Sequence, residues 1–429
     1  MSFPSDNTVY LVECVLLALA VGGYVLWLLV AGLRRLSAEL HIGLPIAVAF
    51  GVRVVAALFL GQLSIAQQLR GGDELGFLDT ARDLAAGPLT SEDSIDKLTG
   101  ELHTFLFSLD LRIFDPDPPL DLLRVEMITL SVVGLVLLTA AVYELAGPRA
   151  ARIAAWVLAF EPAGVFFSSL LHKEPLMFLA EGAVVYGGAV FWKRGRLAAL
   201  LPIIVGCLVA VATRPYAGWF VAAAAAVVVL HASITRQEGA RALVLTATVL
   251  ALIAAFVPVV WNASSDKSLE GLQSSQDANA ADRDANLSLE RVDYSTRAKL
   301  ITNLPQRISD VILKPYPWRT QNTSQRLGVL GTLVMLFAVG ALLAAVFRSG
   351  RAVMQRAGPL IYPALFMLVA YSLSAGNAGT AFRYRTHVVE IVLCAIVVLW
   401  VGRREERRAD RPAEPVSGGT REREPILAG

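Results

Sequence analysis

Runs of about twenty apolar residues, broken by short polar stretches, dominate this chain, and a run of that length crosses a bilayer as a helix. Eleven runs are expected to span, near 9–33, 43–65, 125–146, 153–171, 175–192, 197–213, 216–234, 242–261, 327–347, 359–375 and 387–402. The pattern predicts an all-α, polytopic membrane protein over residues 1–402. After it comes a tail, 403–429, whose alternating Arg and Glu with Pro and Gly read as disordered.

Two polar stretches are too long to be simple turns, 66–124 and 262–326. In the first, Leu75, Leu78, Ala81 and Ala85 recur at helical spacing until Gly87-Pro88 stops the run. A second amphipathic stretch from Lys97 to Phe114 places Leu98, Leu102, Phe105, Leu109 and Ile113 on one side, and Asp115-Pro116-Asp117-Pro118-Pro119 ends it. Helices of this kind lie in the interface plane of a membrane. The second long loop opens with a polar stretch, Ser264 to Ser288, expected to be mobile. An interfacial helix then carries Leu300, Ile301, Leu304, Ile308, Val311, Ile312 and Leu313, with a break expected at Pro305.

Composition agrees with the pattern. The 429 residues are 55% hydrophobic and 17% charged, with mean hydropathy +0.57, whereas soluble domains carry about 25% charge. The net charge of +2 says little, because the charge is sorted by side. Short loops on one side carry twelve Lys and Arg and those on the other carry four, so the first side is expected to be cytoplasmic. The N-terminus is then outside, the C-terminus cytoplasmic, and the chain is a multi-pass protein of the cell membrane. Cys14, Cys207 and Cys394 all fall inside expected spans without metal-ligand spacing, so neither redox chemistry nor a bound metal is expected of them. A phosphate-binding P-loop, a dinucleotide fingerprint and a zinc helix are all missing from the sequence, and no nucleotide or nucleic acid is expected as a partner.

The candidate chemistry lies on the outer side. Arg70-Gly71-Gly72-Asp73-Glu74 puts two carboxylates at the start of a helix, after glycines that let backbone approach a ligand. A general base must reach the hydroxyl it deprotonates, and Asp73, with Glu74 next, is the candidate. His172-Lys173-Glu174-Pro175 and Arg214-Pro215 form very short outer turns, and Arg383-Tyr384-Arg385 precedes the last span. Lys173, Arg214, Arg383 and Arg385 can hold phosphate oxygens, with His172, Glu174 and Arg70 beside them. Snorkelling interfacial anchors are the plainer account of the same residues. Arg291, Arg297 and Lys299 add basic charge in the second loop. Arg53, Glu161 and Glu181 are expected deep in spans, where buried pairing or a proton path would explain them.

These residues resemble the GT-C superfamily of polytopic glycosyltransferases. The resemblance rests on Gly72-Asp73-Glu74-Leu75-Gly76-Phe77 and the helix to Gly87, on Gly147-Pro148-Arg149 through Glu161-Pro162 to His172-Lys173-Glu174, and on Arg214-Pro215 and Arg383-Tyr384-Arg385. It covers roughly residues 50 to 400 and departs from the family in an additional first span and in having no large outer domain after the last span. It implies a GT-C-like transmembrane domain and transfer of a sugar from a polyprenyl-phosphate carrier to a lipid or glycan acceptor at the outer face. Asp73 would be the acceptor-activating base, and Lys173, Arg214, Arg383 and Arg385 would be the carrier-phosphate ligands. No cofactor is called for, and a divalent metal is left open. Lys314-Pro315-Tyr316-Pro317-Trp318 and Lys173-Glu174 also look like bacterial surface-polysaccharide assembly proteins, including polymerases. A polymerase or ligase using lipid-pyrophosphate-linked glycans is therefore one alternative, and a non-enzymatic lipid or solute transporter is another.

Overall fold

The computed structural model describes residues 6–36, 39–60, 73–114, 120–236, 269–271, 273–274, 277, 292–318, 320, 323–350, 352–374 and 378–409. It is 89% helical, and the described residues contain no strand. The helices are α1 (Asp6–Leu36), α2 (Gly43–Leu60), α3 (Asp73–Ala86), α4 (Glu92–Gly100), α5 (Leu102–Phe114), α6 (Leu120–Ala159), α7 (Pro162–Ser168), α8 (Glu174–Arg194), α9 (Leu200–Thr213), α10 (Pro215–Arg236), α11 (Arg297–Leu313), α12 (Thr323–Ser349), α13 (Ala352–Ser374) and α14 (Ala378–Ala409). Seven of them are long and apolar enough to cross a membrane, and two shorter apolar helices cover Gly43–Phe59 and Leu197–Thr213. The chain is an all-α, multi-pass membrane protein. The expected span 242–261, most of 262–291 and the tail beyond Ala409 lie outside the described residues.

The centre of the bundle is α6 against α8, with α2, α9 and α14 packed around that pair. Two glycines make this packing possible. A Cβ on Gly134 would strike the backbone of Phe178 and Leu179, and one on Gly182 would strike the backbone of Gly134. The two helices therefore meet backbone to backbone, as small residues allow in a membrane where no hydrophobic force drives helices together. α6 turns sharply at Gly147, whose φ of 82° suits glycine, and Pro148 restarts the helix.

Four sequence expectations change. The expected span 153–171 is interrupted: α6 stops at Ala159 and α7 begins at Pro162. Proline cannot donate within a helix and disfavours helix in the residue before it, and Glu161 caps the new start by accepting from the Gly164 N–H. The stretch Lys97–Phe114 is two helices parted at Glu101, and its buried face is His103, Thr104, Phe107, Ser108 and Leu111. The apolar side expected at the membrane interface points outward, with Ile113 72% exposed. That is the arrangement for a helix whose outer side meets lipid and whose polar side meets protein. α11 runs unbroken through Pro305 and buries Arg307, Asp310 and Val311. Residues 403–409, expected as disordered tail, continue α14.

Candidate functional site

The site is assembled around the start of α8. α7 ends at Ser168 and the chain turns through residues 169–173, where the Ser169 hydroxyl donates to the Arg53 carbonyl (3.0 Å) and so ties the turn to α2. Pro175 stands in the first turn of α8, where its missing N–H costs nothing. Glu174 therefore opens a helix, the end at which negative charge is favoured.

Glu174 is fully buried and joins two distant segments. Arg214 Nη2 donates to its Oε1 at 2.8 Å and Arg383 Nε lies 3.1 Å from the same oxygen. Arg214 comes from the turn between α9 and α10, and Arg383 from α14. Burying these charges has a desolvation cost, and removing one partner from such a pair costs about 3–5 kcal/mol. Arg383 Nη1 also lies 3.4 Å from His172 Nδ1. The Arg214 guanidinium carbon sits 4.5 Å from the centre of the Tyr384 ring, and the Tyr216 hydroxyl donates to that of Tyr384 at 2.6 Å.

The outer-loop helices close over this cluster. Lys173 pairs with Glu101 at 3.1 Å and lies 5.5 Å over the Phe77 ring. Glu101 also takes Lys97 at 2.9 Å. Its partial burial would raise its carboxyl, but the two lysines prevail and hold it below the usual carboxylate range. His103 meets the same Phe77 edge to face, with ring centres 4.3 Å apart, and its Nδ1 has no hydrogen-bond partner. Burial, and then Lys173 close by, push the His103 imidazole well below its ordinary value, so it is neutral at pH 7.

Of the residues expected at the site, the structure brings Lys173, Arg214, Arg383, His172 and Glu174 together. Glu74 is close by, but both its oxygens are engaged: Oε1 accepts from the Leu171 N–H at 2.8 Å and Oε2 from Arg124 at 3.4 Å. It works as a clamp that fixes the start of α3 against the 169–173 turn, and it carries the backbone of Asp73 there too. The Asp73 side chain, Arg70 and Arg291 lie outside the described residues. Arg385 stands apart from the cluster. Its Nη1 donates to the Lys314 carbonyl (2.9 Å) and the Thr332 hydroxyl (3.0 Å), and Nη2 donates to the Gly328 carbonyl (3.2 Å). It fastens the connection between α11 and α12. Lys299 pairs with Asp293 at 2.5 Å.

The three deep charges expected from the sequence each have a partner. Arg53 donates to the Leu158 carbonyl at 3.3 Å, at the end of the interrupted helix, while Glu161 caps the helix that follows. Glu181 pairs with His387, whose Nδ1 lies 3.0 Å from Oε1. Sequence reading missed Glu101, His103, Arg124, Tyr216 and His387. One signal was available for His103: a polar residue on the face of α5 opposite its leucines. The described residues hold no group of three or more His, Cys, Asp or Glu side chains that could bind a metal.

Comparison with protein-family models, with curated proteins and with solved structures gave no match.

Proposed function

We propose that this protein is a membrane glycosyltransferase that moves a sugar from a polyprenyl-phosphate carrier to an acceptor hydroxyl at the outer face of the membrane. The observation that carries this reading is the convergence of Lys173, Arg214 and Arg383, from three separate segments, at the start of α8. A phosphate is a good leaving group when its charge is stabilised, and preorganised cations in a dry site supply that stabilisation. A largely apolar cavity of about 490 Å³ borders α5, the helix that carries His103; it is lined by Leu17, Leu109 and Leu130 among others, and gives a lipid chain room. The acceptor oxygen bonds to the anomeric carbon, the bond from that carbon to the phosphate oxygen breaks, and the hydroxyl proton goes to Asp73. The GT-C resemblance supports the same roles.

A polymerase or ligase acting on lipid-pyrophosphate-linked glycans would use the same cations with a longer acceptor groove. The transporter reading has one observation of its own, the interrupted helix at Ala159 and Pro162 with Arg53 and Glu161 at its two ends, because broken helices frame the binding sites of many transporters. Sugar transfer by the reconstituted protein separates the classes. Asp73→Asn should bind carrier lipid normally yet transfer sugar about 10²–10⁴-fold more slowly, the usual cost of losing a general base. Full transfer by Asp73→Asn and Glu74→Gln, singly and together, would remove the catalytic assignment. Activity controlled by Arg53 or Glu161 with Asp73 dispensable would favour transport.

A further inference from the structure

The apolar crevice beside α5 has one polar spot, and the proposed reaction does not use it. Its walls come from α1, α5 and α6, with Leu17, Val21, Leu109 and Ile113 among them. Leu17, Val21 and Ile113 are all more than half exposed, so the crevice opens sideways on a surface that lipid covers. Against these walls two carboxyls stand together. Asp110 of α5 and Glu126 of α6 both line the crevice, and their side chains hydrogen-bond each other. That bond needs one proton between them, so the pair keeps one negative charge.

Among the described residues no basic side chain answers that charge: no Lys, Arg or His lines the crevice. Arg112, two positions from Asp110, donates to the Gly87 carbonyl at 2.6 Å. Arg124, two positions from Glu126, is held by Asp121 and Glu74. α1 contributes no basic residue before Arg34. A charge set among apolar groups without a counter-charge is costly.

Depth says where the missing charge comes from. From Glu126 to the turn at Gly147, α6 runs about twenty residues, roughly 30 Å of helix. That matches the roughly 30 Å of hydrocarbon in a bilayer. Arg149 and Arg152 follow the turn at one membrane surface, which sets Glu126 at the other, where headgroups begin. A bare metal ion would find two carboxyls and apolar walls, whereas hard cations take about six oxygen ligands or more. A primary ammonium on a lipid suits both halves of the site. Its N–H groups donate to both carboxyls while an acyl chain fills the crevice. A trimethylated ammonium brings the charge without a donor.

We infer that the crevice between α1, α5 and α6 seats a lipid with a primary-ammonium headgroup, its ammonium resting on Asp110 and Glu126. This is independent of the reading of the cation cluster, because the lipid is neither donor nor acceptor in the proposed transfer.

Native mass spectrometry of the full chain in detergent provides the test. The probe is phosphatidylethanolamine, compared with phosphatidylcholine and phosphatidylglycerol of the same chains. Wild type should bind one phosphatidylethanolamine at least about tenfold more tightly than either of the others, the scale of a charge-assisted contact. Asp110→Asn combined with Glu126→Gln should level the three affinities. Glu92→Gln, at an exposed carboxylate on α4 outside the crevice, should keep the preference. The headgroup comparison is made on wild type, so it decides the matter even where the double variant does not fold. Equal affinity for the three headgroups, or an undiminished preference in the folded double variant, overturns the inference. Displacement of phosphatidylethanolamine by an equal concentration of a polyprenyl-phosphate-linked sugar overturns it too, by giving the crevice to the carrier. The proposed function is decided separately, by carrier affinity in Lys173→Gln.

Discussion

At the scale of single residues, the site is built from short polar interruptions in an apolar chain, and those were open to reading. Lys173, Glu174, Arg214 and Arg383 flank expected span ends, and they do meet. Which partner each takes was not legible. Arg383 and Arg385 are two positions apart, yet one reaches Glu174 and the other the carbonyls of Lys314 and Gly328, a choice set by α11 and α12, far away in sequence. His103 shows the same limit, because its burial follows from the side of α5 that meets protein. It also gives a pH test. Its imidazole is held below the ordinary value in the folded chain, so the unfolded chain binds more protons below about pH 6.5 and stability falls as pH drops through that range. The slope is at most about 1.4 kcal/mol per pH unit. Thermal unfolding in detergent from pH 7 to 5 should show His103→Phe losing less stability than wild type, and parallel losses would contradict the account of His103.

At the scale of elements, helix existence was written plainly in the apolar runs, and helix interruptions were not. The stretch 153–171 reads as one span by hydropathy, but Pro162 and the cap of Glu161 divide it. The opposite misreading occurred at Pro305, which α11 accommodates. The outward leucines of α5 suit a helix at the membrane interface, but the polar side that packs inward through His103, Thr104 and Ser108 was not named from the sequence. The tightest element pair is α6 with α8, where Gly134 and Gly182 leave no room for side chains. Gly134→Leu and Gly182→Leu should each lower the thermal midpoint and broaden the gel-filtration profile in detergent. Gly51→Leu, on a part of α2 with nothing within 4 Å of a built Cβ, should do neither. Equal behaviour of all three variants would deny that α6 and α8 meet backbone to backbone.

At the scale of the whole molecule, the fold puts charged turns from α8, α10 and α14 and the loop helices α3 to α5 at one end of the bundle. The charge bias of the short loops predicts that this end faces outward. A cysteine placed at Ser91 should then react with an impermeant reagent on intact cells, and one at Ser349 should be protected; the reverse pattern would turn the protein over. The central claim is that the clustered cations hold a lipid-linked phosphate. Its most direct measurement is the affinity of the purified protein for a polyprenyl-phosphate-linked sugar in Lys173→Gln and Arg383→Gln, with thermal midpoints recorded beside it. A lost charge-assisted contact is worth about 1.5–3 kcal/mol, so each variant should bind roughly ten- to more than a hundredfold more weakly while remaining folded. Arg383→Gln should do so with a lowered thermal midpoint, because it leaves the buried Glu174 short of a partner. Wild-type affinity in both folded variants would reduce these residues to interfacial anchors and contradict the account.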